Sequence, residues 1–454
     1  MQNINQEHPE YVARKAMWGR YKDLYAGGEQ LRRRAAEYLV RRHKEPNEIF
    51  LERLSRVFYQ NYIGSIIDWY AATVMHREPA LILEGPDATA RDFYSRLAND
   101  CDLKGNSLTE FFRKRFVEAL VCGCSYMVVD FPRGRTAAQN KAEEDQSGRS
   151  RAYLVDYGAD EVINWSYDEG GGLDWAVIRT NCLQQSKVTD AKWEQETRWI
   201  YYDRENFQTF CKSGESGRIV LADEGRHGLA SLGQVPLFRL KVNEGLWLMN
   251  KAALLQLEHL NKSNALAWAL TMGLFAMPVV YSDREWSQIV GESYYIQLGP
   301  EDRFGWTEPE GKVYQIAADN LNQLKDEIYR VCYLMNQATN NEGERQSGLS
   351  KQLDFQTTDE VLGAYGCRVR ESMKQVLWAI AAARQDKVSL DVVGMDEFDI
   401  DDFSTELDDA KKLLDLGIAS PTLKKQVFKR LAMHYLADAR QEVKSQVAEE
   451  IEGA

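Results

Sequence analysis

The sequence lacks paired cysteines. Its seven (Cys101, Cys122, Cys124, Cys182, Cys211, Cys332 and Cys367) are scattered, odd in number and without a CxxC spacing. That argues against a disulfide framework or a zinc ribbon and fits assembly in a reducing compartment such as a host cytoplasm. Cys122-Gly123-Cys124 has no second ligand pair near it and reads as two small core residues. A long apolar run is also missing. The most apolar stretch, 265–280, is interrupted by Thr271, Gly273 and Pro278, whereas a bilayer helix needs roughly 20 apolar residues. The opening residues, MQNINQEHPEYVARK, contain no apolar core of a secretory leader, so neither a leader nor a membrane partner is expected.

Positive charge is in deficit: 56 Lys and Arg stand against 69 Asp and Glu, a formal net charge of −13. Coating nucleic acid nonspecifically requires Lys and Arg to displace phosphate counterions, so any role with DNA must be local or must rely on weak attraction. The familiar catalytic signatures are absent as well. There is no GxxxxGK[ST], GxSxG, HExxH or GxGxxG, and the six histidines (His8, His43, His76, His227, His259, His434) are isolated. Their joint absence from a chain of this length favours a structural protein, with no cofactor and no metal, over an enzyme. Residues 391–409 carry nine carboxylates and no base. A calcium loop would need Gly at its sixth position and Glu at its twelfth. No register supplies both, and a solvated acidic loop leading into a helix is expected.

What is present is a globular composition, 44% hydrophobic and 28% charged, enough for two to three domains or one elongated multi-part subunit. The patterning predicts an α+β, mainly helical chain. Leu51, Leu54, Val57, Phe58, Ile63, Ile66, Ile67 and Tyr70 recur at helical steps, and a second helix from Ser107 has a capping box with Glu110. The early cluster Arg32, Arg33, Arg34, Arg41, Arg42 and Lys44 is either a nucleic-acid or neighbour-subunit patch or a solvated helix face. Strands are expected at 126–129, 152–155, 175–179, 197–202, 207–210 and 236–242, with a mobile loop at 132–151 and a turn at Gly170-Gly171-Gly172. A helix over 246–275 stops before Pro278. A small β-like region (278–281, 294–298, 313–316) follows, then a helix over 319–340 with Leu321, Leu324, Ile328, Val331 and Met335 as its stripe. A polar break at 341–348 precedes a helix over 357–384. The C-terminal part ends in two helices, the first stopping at Gly417 and the second opening at Ser420-Pro421. Trp286 and Trp306 lie between the two long helices, as interface anchors or as ordinary core.

Four segments carry a family resemblance. The first is His8-Pro9-Glu10-Tyr11, the turn Tyr25-Ala26-Gly27-Gly28, Phe50-Leu51-Glu52-Arg53, Tyr59-Gln60-Asn61-Tyr62 and Arg77-Glu78-Pro79. The second is the helix–β–helix order with Met277-Pro278 at the first exit. The third is Gly348-Leu349-Ser350, and the fourth is Asp401-Asp402-Phe403 with Leu416-Gly417-Ile418-Ala419-Ser420-Pro421-Thr422. In that order and spacing the chain resembles the compact portal proteins of tailed bacteriophages, the head-to-tail connectors.

The resemblance implies a portal fold assembling as a closed ring. Its parts would be a wing (1–244), a first stem helix (245–277), a clip (278–318), a second stem helix (319–340), a tunnel loop (341–352), a long tunnel or wing helix with an acidic connector (353–403) and a crown (404–454). It further implies a homo-oligomer of twelve at one capsid vertex of the virion. Double-stranded DNA would pass through it without sequence specificity, and terminase, major capsid and scaffolding proteins and a tail adaptor would be its partners. Glu342, Gly343, Glu344, Arg345, Gln346, Ser347, Gly348 and Lys351 would face DNA. Asp283, Arg284, Glu285, Trp286, Glu301, Asp302, Arg303 and Trp306 would form the clip docking surface. The alternatives are an enzyme with a site in region 125–242, a sequence-specific DNA binder using the Arg32–Lys44 cluster, and another ring-forming virion adaptor.

Overall fold

The computed structural model describes residues 3–76, 78–132, 151–184, 194–212, 218–274, 277–281, 301, 303–307, 311–334, 348–395, 398, 403–416, 420–436 and 441–453. The fold is α+β, with 55% helix and 21% strand and no closed barrel among the described residues. The chain divides into two units, one of residues 1–22, 65–250 and 346–454, the other of residues 23–64 and 251–345.

The first unit is built on the helix Leu108–Cys122 and the strand that follows it, Cys124–Asp130. Ser107 caps the helix as its sequence predicts, its hydroxyl accepting from the Glu110 N–H. Phe111, Phe112, Phe116 and Leu120 are buried on its inner face. Its end is closed by Gly123, left-handed at φ 84. A side chain there would meet the Trp247 ring at 3.1 Å, so glycine serves both the turn and the packing. Two indoles satisfy the last carbonyls: Trp247 Nε1 donates to Val121 O (3.0 Å) and Trp18 Nε1 to Cys122 O (2.8 Å). Cys122 and Cys124 are buried and free. Burial pushes both thiols up, which makes them inert core residues as expected.

Cys124–Asp130 is the middle strand of three, between Tyr153–Tyr157 and Leu237–Lys241, both antiparallel to it. It is buried along its whole length. A five-stranded antiparallel meander follows: Val162–Tyr167, Leu173–Gln184, Glu194–Tyr202, Asn206–Lys212 and Ile219–Arg226. The triple glycine lies in the turn between the first two of these strands. A separate two-stranded sheet pairs Ala80–Glu84 with Ser389–Val393. Asp391, which the sequence places at the head of a loop, is therefore a strand residue opposite Ile82. It is bridged to Lys374 at 2.5 Å.

The helix Gly348–Arg384 begins nearer the polar break than the expected 357. Tyr365, Val369, Met373, Val376, Leu377 and Ile380 are fully or nearly fully buried along it. The Tyr365 ring packs edge-on against Tyr70 and Phe116. Further on, Ser420 caps the helix Pro421–Tyr435, which has proline in its first position.

The second unit centres on two long helices. The first is Leu248–Leu274, from Lys251 onward; the second is Gly311–Val331. The second starts earlier than expected, so Val313 and Ile316, read as strand, are helical. Their branched side chains suggest β structure in isolation, yet they continue the helical spacing of Leu321, Leu324 and Ile328. Short helices at Gly28–Arg33, Ala35–Tyr38 and Asn47–Ser55 complete the unit.

Three amides fasten Leu248–Leu274 to the 38–63 backbone. Gln256 accepts from Ile63 N–H (3.2 Å) and donates to Gln60 O (2.8 Å). Asn261 accepts from Val40 N–H (2.7 Å) and donates to Tyr38 O (3.0 Å). Asn264 accepts from Phe58 N–H (3.1 Å) and donates to Phe58 O (2.9 Å). Each amide satisfies backbone groups that no helix or strand partner reaches. Replacing Gln256, which is fully buried, with leucine should cost about 2–3 kcal/mol, because a buried donor is left unmade. Urea unfolding would measure this, and a loss below about 0.5 kcal/mol would mean that the bridge is dispensable.

Candidate functional site: a helical hairpin with a β tip

The two long helices of the second unit run antiparallel. Lys251 Nζ donates to Tyr333 Oη (2.5 Å), Lys262 Nζ to Asn320 Oδ1 (2.8 Å) and Tyr314 Oη to Ala269 O (3.3 Å). As the residue number rises on one side it falls on the other at the same pace, so the contacts follow one continuous seam. At 1.5 Å per residue the stretch from Lys251 to Ala269 is about 27 Å long. Midway, the Tyr62 ring packs edge-on to His259 (5.0 Å) and to Tyr329 (6.3 Å). Burial lowers the pKa of His259, so the ring sits neutral in this seam near neutral pH.

At the far end the hairpin carries a two-stranded antiparallel sheet, Met277–Tyr281 with Arg303–Thr307. Tyr281, 64% exposed, stands opposite Arg303. This is the rod–tip–rod order expected for a stem and clip. Beside the tip the rods show bare apolar side chains: Leu270 (43% exposed), Val313 (62%) and Ile316 (59%). Leu270 and Val313 adjoin the Ala269–Tyr314 contact, so the three lie at one level of the hairpin.

Of the proposed docking residues, Glu301 and Arg303 are exposed at this tip. Trp306 lies in its second strand. Asp283, Arg284, Glu285, Trp286 and Asp302 lie outside the described residues, as do Glu342, Gly343, Glu344, Arg345, Gln346 and Ser347. Gly348 and Lys351, expected in the loop, belong to the first turns of the helix Gly348–Arg384.

The early arginine cluster is partly paired with carboxylates. Arg34 is held by Asp23 (2.5 Å) and Glu37 (2.6 Å). Arg33 pairs with Glu29 at 3.9 Å, and Arg32 donates to Ser55 O. Arg41 donates to the carbonyl of Glu45, whose carboxylate takes the Arg42 N–H and the buried Arg53. Carboxylates lie within 4.0 Å of Arg32, Arg33 and Arg34, while Arg41, Arg42 and Lys44 are exposed with no ion pair among the described residues.

The first unit contains a groove of about 820 Å³ in the region where the enzyme alternative would place its site. Its walls are Trp165 and Tyr167 from one strand, Phe238 and Arg239 from another, and Gln375 and Trp378 from the helix Gly348–Arg384. Among the described lining residues Asp168 is the one carboxylate. The Gly172 N–H (2.8 Å) and the Arg204 guanidinium hold its carboxyl below the usual range. It therefore stays ionised, and the described lining holds no second carboxylate and no histidine. Among the described residues no cluster of His, Cys, Asp or Glu is placed to hold a metal ion, and no helix is long and apolar enough to cross a membrane.

No family model matches the sequence, and no curated protein matches it. Several solved structures are similar. One is the neck of an empty GTA particle computed with C6 symmetry, at 12% identity and a TM-score of 0.40, covering 79% of this chain and 87% of that chain. Another is the virion of a native gene transfer agent (GTA) particle, at 13% identity and a TM-score of 0.39, covering 85% and 93%. A third is the neck of a native GTA particle computed with C12 symmetry, at 13% identity and a TM-score of 0.38, covering 87% and 96%.

Proposed function

We propose that this chain is a portal subunit, a structural and non-enzymatic virion protein whose copies close into a ring, most simply of twelve, around a DNA channel at one capsid vertex. The observation that carries this reading is the antiparallel helix pair ending in a small sheet, with bare Leu270, Val313 and Ile316 along its side. A rod of this kind has little to bury its apolar flank against within its own unit, and a ring supplies a neighbour at every position. Ring closure is heterologous, so the flank meets a different face of the next copy.

In this reading the tip, with Glu301 and Arg303, docks the terminase during packaging and the tail adaptor afterwards. The wing contacts the major capsid and scaffolding proteins. An acidic chain suits the passage. Each neutralised phosphate adds favourable counterion release, so a strongly basic wall would hold DNA rather than let it slide. Arg345 and Lys351, set among Glu342 and Glu344, make light and reversible phosphate contacts.

Negative-stain imaging of the purified chain tests the reading. Monodisperse rings with a central hole are expected. A compact monomer at every concentration would overturn it.

A further inference from the structure

The second unit carries opposite charge on two flanks. On the helix Leu248–Leu274, the amides that hold the 38–63 backbone are Gln256, Asn261 and Asn264. Lys251, Lys262 and Ala269 instead meet the second long helix and the turn after it. At about 3.6 residues per turn these two sets point about 150° apart. The 38–63 segment and the helix Gly311–Val331 therefore lie on nearly opposite sides of the first long helix.

One flank is cationic. The turn 40–45 is fastened by Asn261, which takes the Val40 N–H (2.7 Å). It is closed by Glu45, whose carboxylate accepts from the Arg42 N–H (3.1 Å) and from the buried Arg53 guanidinium (2.8 Å). Glu45 is thus committed internally, while Arg42 and Lys44 are exposed. Lys44 holds a left-handed φ of 60, which glycine or asparagine would adopt at less cost, so backbone geometry does not explain a lysine there. The other flank is acidic at the same height. The antiparallel contacts set Asn261 level with the stretch between Asp319 and Asp326, each within about 6 Å of that level along the axis. Both aspartates are exposed. Asp319 accepts from the neutral Gln315 (2.8 Å), and Asp326 has the adjacent Lys325 at 3.8 Å. They share a face of their helix with Ile316. Lys312 and Arg330 bound this acidic stretch, and Arg330 donates to Glu327 (2.6 Å).

We propose that Arg42 and Lys44 of one copy dock against Asp319 and Asp326 of the next, a polar clasp that sets the height at which neighbouring rods meet. This docking presupposes the ring reading and deepens it. A closed heterologous interface needs two different faces that match. These two are complementary in charge, level with each other and on nearly opposite sides of one unit. Complementary charge fixes register and speeds encounter, and like charges set face to face disfavour the wrong alignment. In a chain of net charge −13, whose copies otherwise repel, a local attraction of this kind has the most to offset.

Light scattering of the full chain over a range of protein concentrations tests the clasp. Arg42→Glu with Lys44→Glu should keep the melting temperature, because both side chains are exposed, and should raise the concentration needed for ring formation at least about tenfold. Asp319→Lys with Asp326→Lys should do the same. A chain with all four changes again has opposite charges across each interface and should assemble within about threefold of the original concentration. Arg42→Gln with Lys44→Gln should leave assembly weaker and less sensitive to salt. Unchanged ring formation by either reversed pair, or no recovery in a folded chain with all four changes, would overturn the clasp and leave the ring reading standing. Loss of binding to a short DNA duplex, with ring formation unchanged, would assign the turn to DNA and also overturn it. An original chain that never forms rings would overturn both.

Discussion

Ile316→Asp should yield a folded chain that no longer forms rings. Ile316 is 59% exposed within its own unit, so a carboxylate there is solvated in the monomer and should leave the circular dichroism spectrum and melting temperature nearly unchanged. In the proposed ring the same position would be covered by a neighbour. An uncompensated charge buried at an interface costs about 3–5 kcal/mol, which is a hundredfold or more in pairwise affinity. Ring closure repeats that cost at every interface, so the effect on assembly is close to complete. Val313→Asp should act in the same way. Size-exclusion chromatography with light scattering would separate the species. Rings of unchanged abundance from a folded Ile316→Asp chain would place the apolar flank outside the interface.

Gly366→Ala should destabilise the first unit by about 3–5 kcal/mol. Gly366 lies inside the helix Gly348–Arg384, where alanine would normally be worth up to about 1 kcal/mol in helix propensity. A Cβ at 366, however, would sit 1.6 Å from the Met395 carbonyl oxygen and 2.7 Å from its carbon. These are backbone atoms, so no rotamer change relieves the clash. The helix cannot easily retreat, because Tyr365 is wedged against Tyr70 and Phe116. The Met395 segment must give way instead. That strains the Ser389–Val393 strand, its pairing with Ala80–Glu84 and the Lys374–Asp391 bridge. Steric exclusion therefore outweighs propensity. Chemical denaturation would measure the loss, and a change under about 1 kcal/mol would show that the segment moves freely.

The parts legible in the sequence were those set by local chemistry. Ser107 with Glu110 N–H and Ser420-Pro421 at a helix start are short-range devices, and each stands where its residue type requires. Pro278 and the apolar spacing before it located the helix Leu248–Leu274 closely. Features that depend on distant partners were missed. Ala80–Glu84 is a strand because Ser389–Val393 returns to it from far along the chain. Ile219–Arg226 contains Asp, Glu and Gly, poor strand formers, and is held in place by Asn206–Lys212. Val313 and Ile316 misled because branched residues on an exposed helix flank look like strand until the partner helix is known.

The candidate site was legible as an order of elements and not as a surface. Helix, small sheet and helix follow one another as expected, and Glu301 and Arg303 are exposed at the tip. The amides Gln256, Asn261 and Asn264 sit among Lys251, Glu258, His259 and Lys262 in the same helix, so composition alone does not separate them from solvated polar residues. The aromatic groove could not have been found from spacing, since its walls come from strands, a turn and a helix that meet only in three dimensions. The arginine cluster shows the opposite case, a conspicuous pattern of which one member, Arg34, is neutralised by Asp23 and Glu37.

The most direct measurement is a reconstruction of the assembled ring by electron microscopy, read for which surface borders the hole. The account expects the paired helices around residues 251–269 and 314–333 to stand side by side about the axis, their tips with Tyr281 and Arg303 at one end of the passage. A hole bordered by the five-stranded sheet, with the helix pairs directed away from the axis, would contradict it.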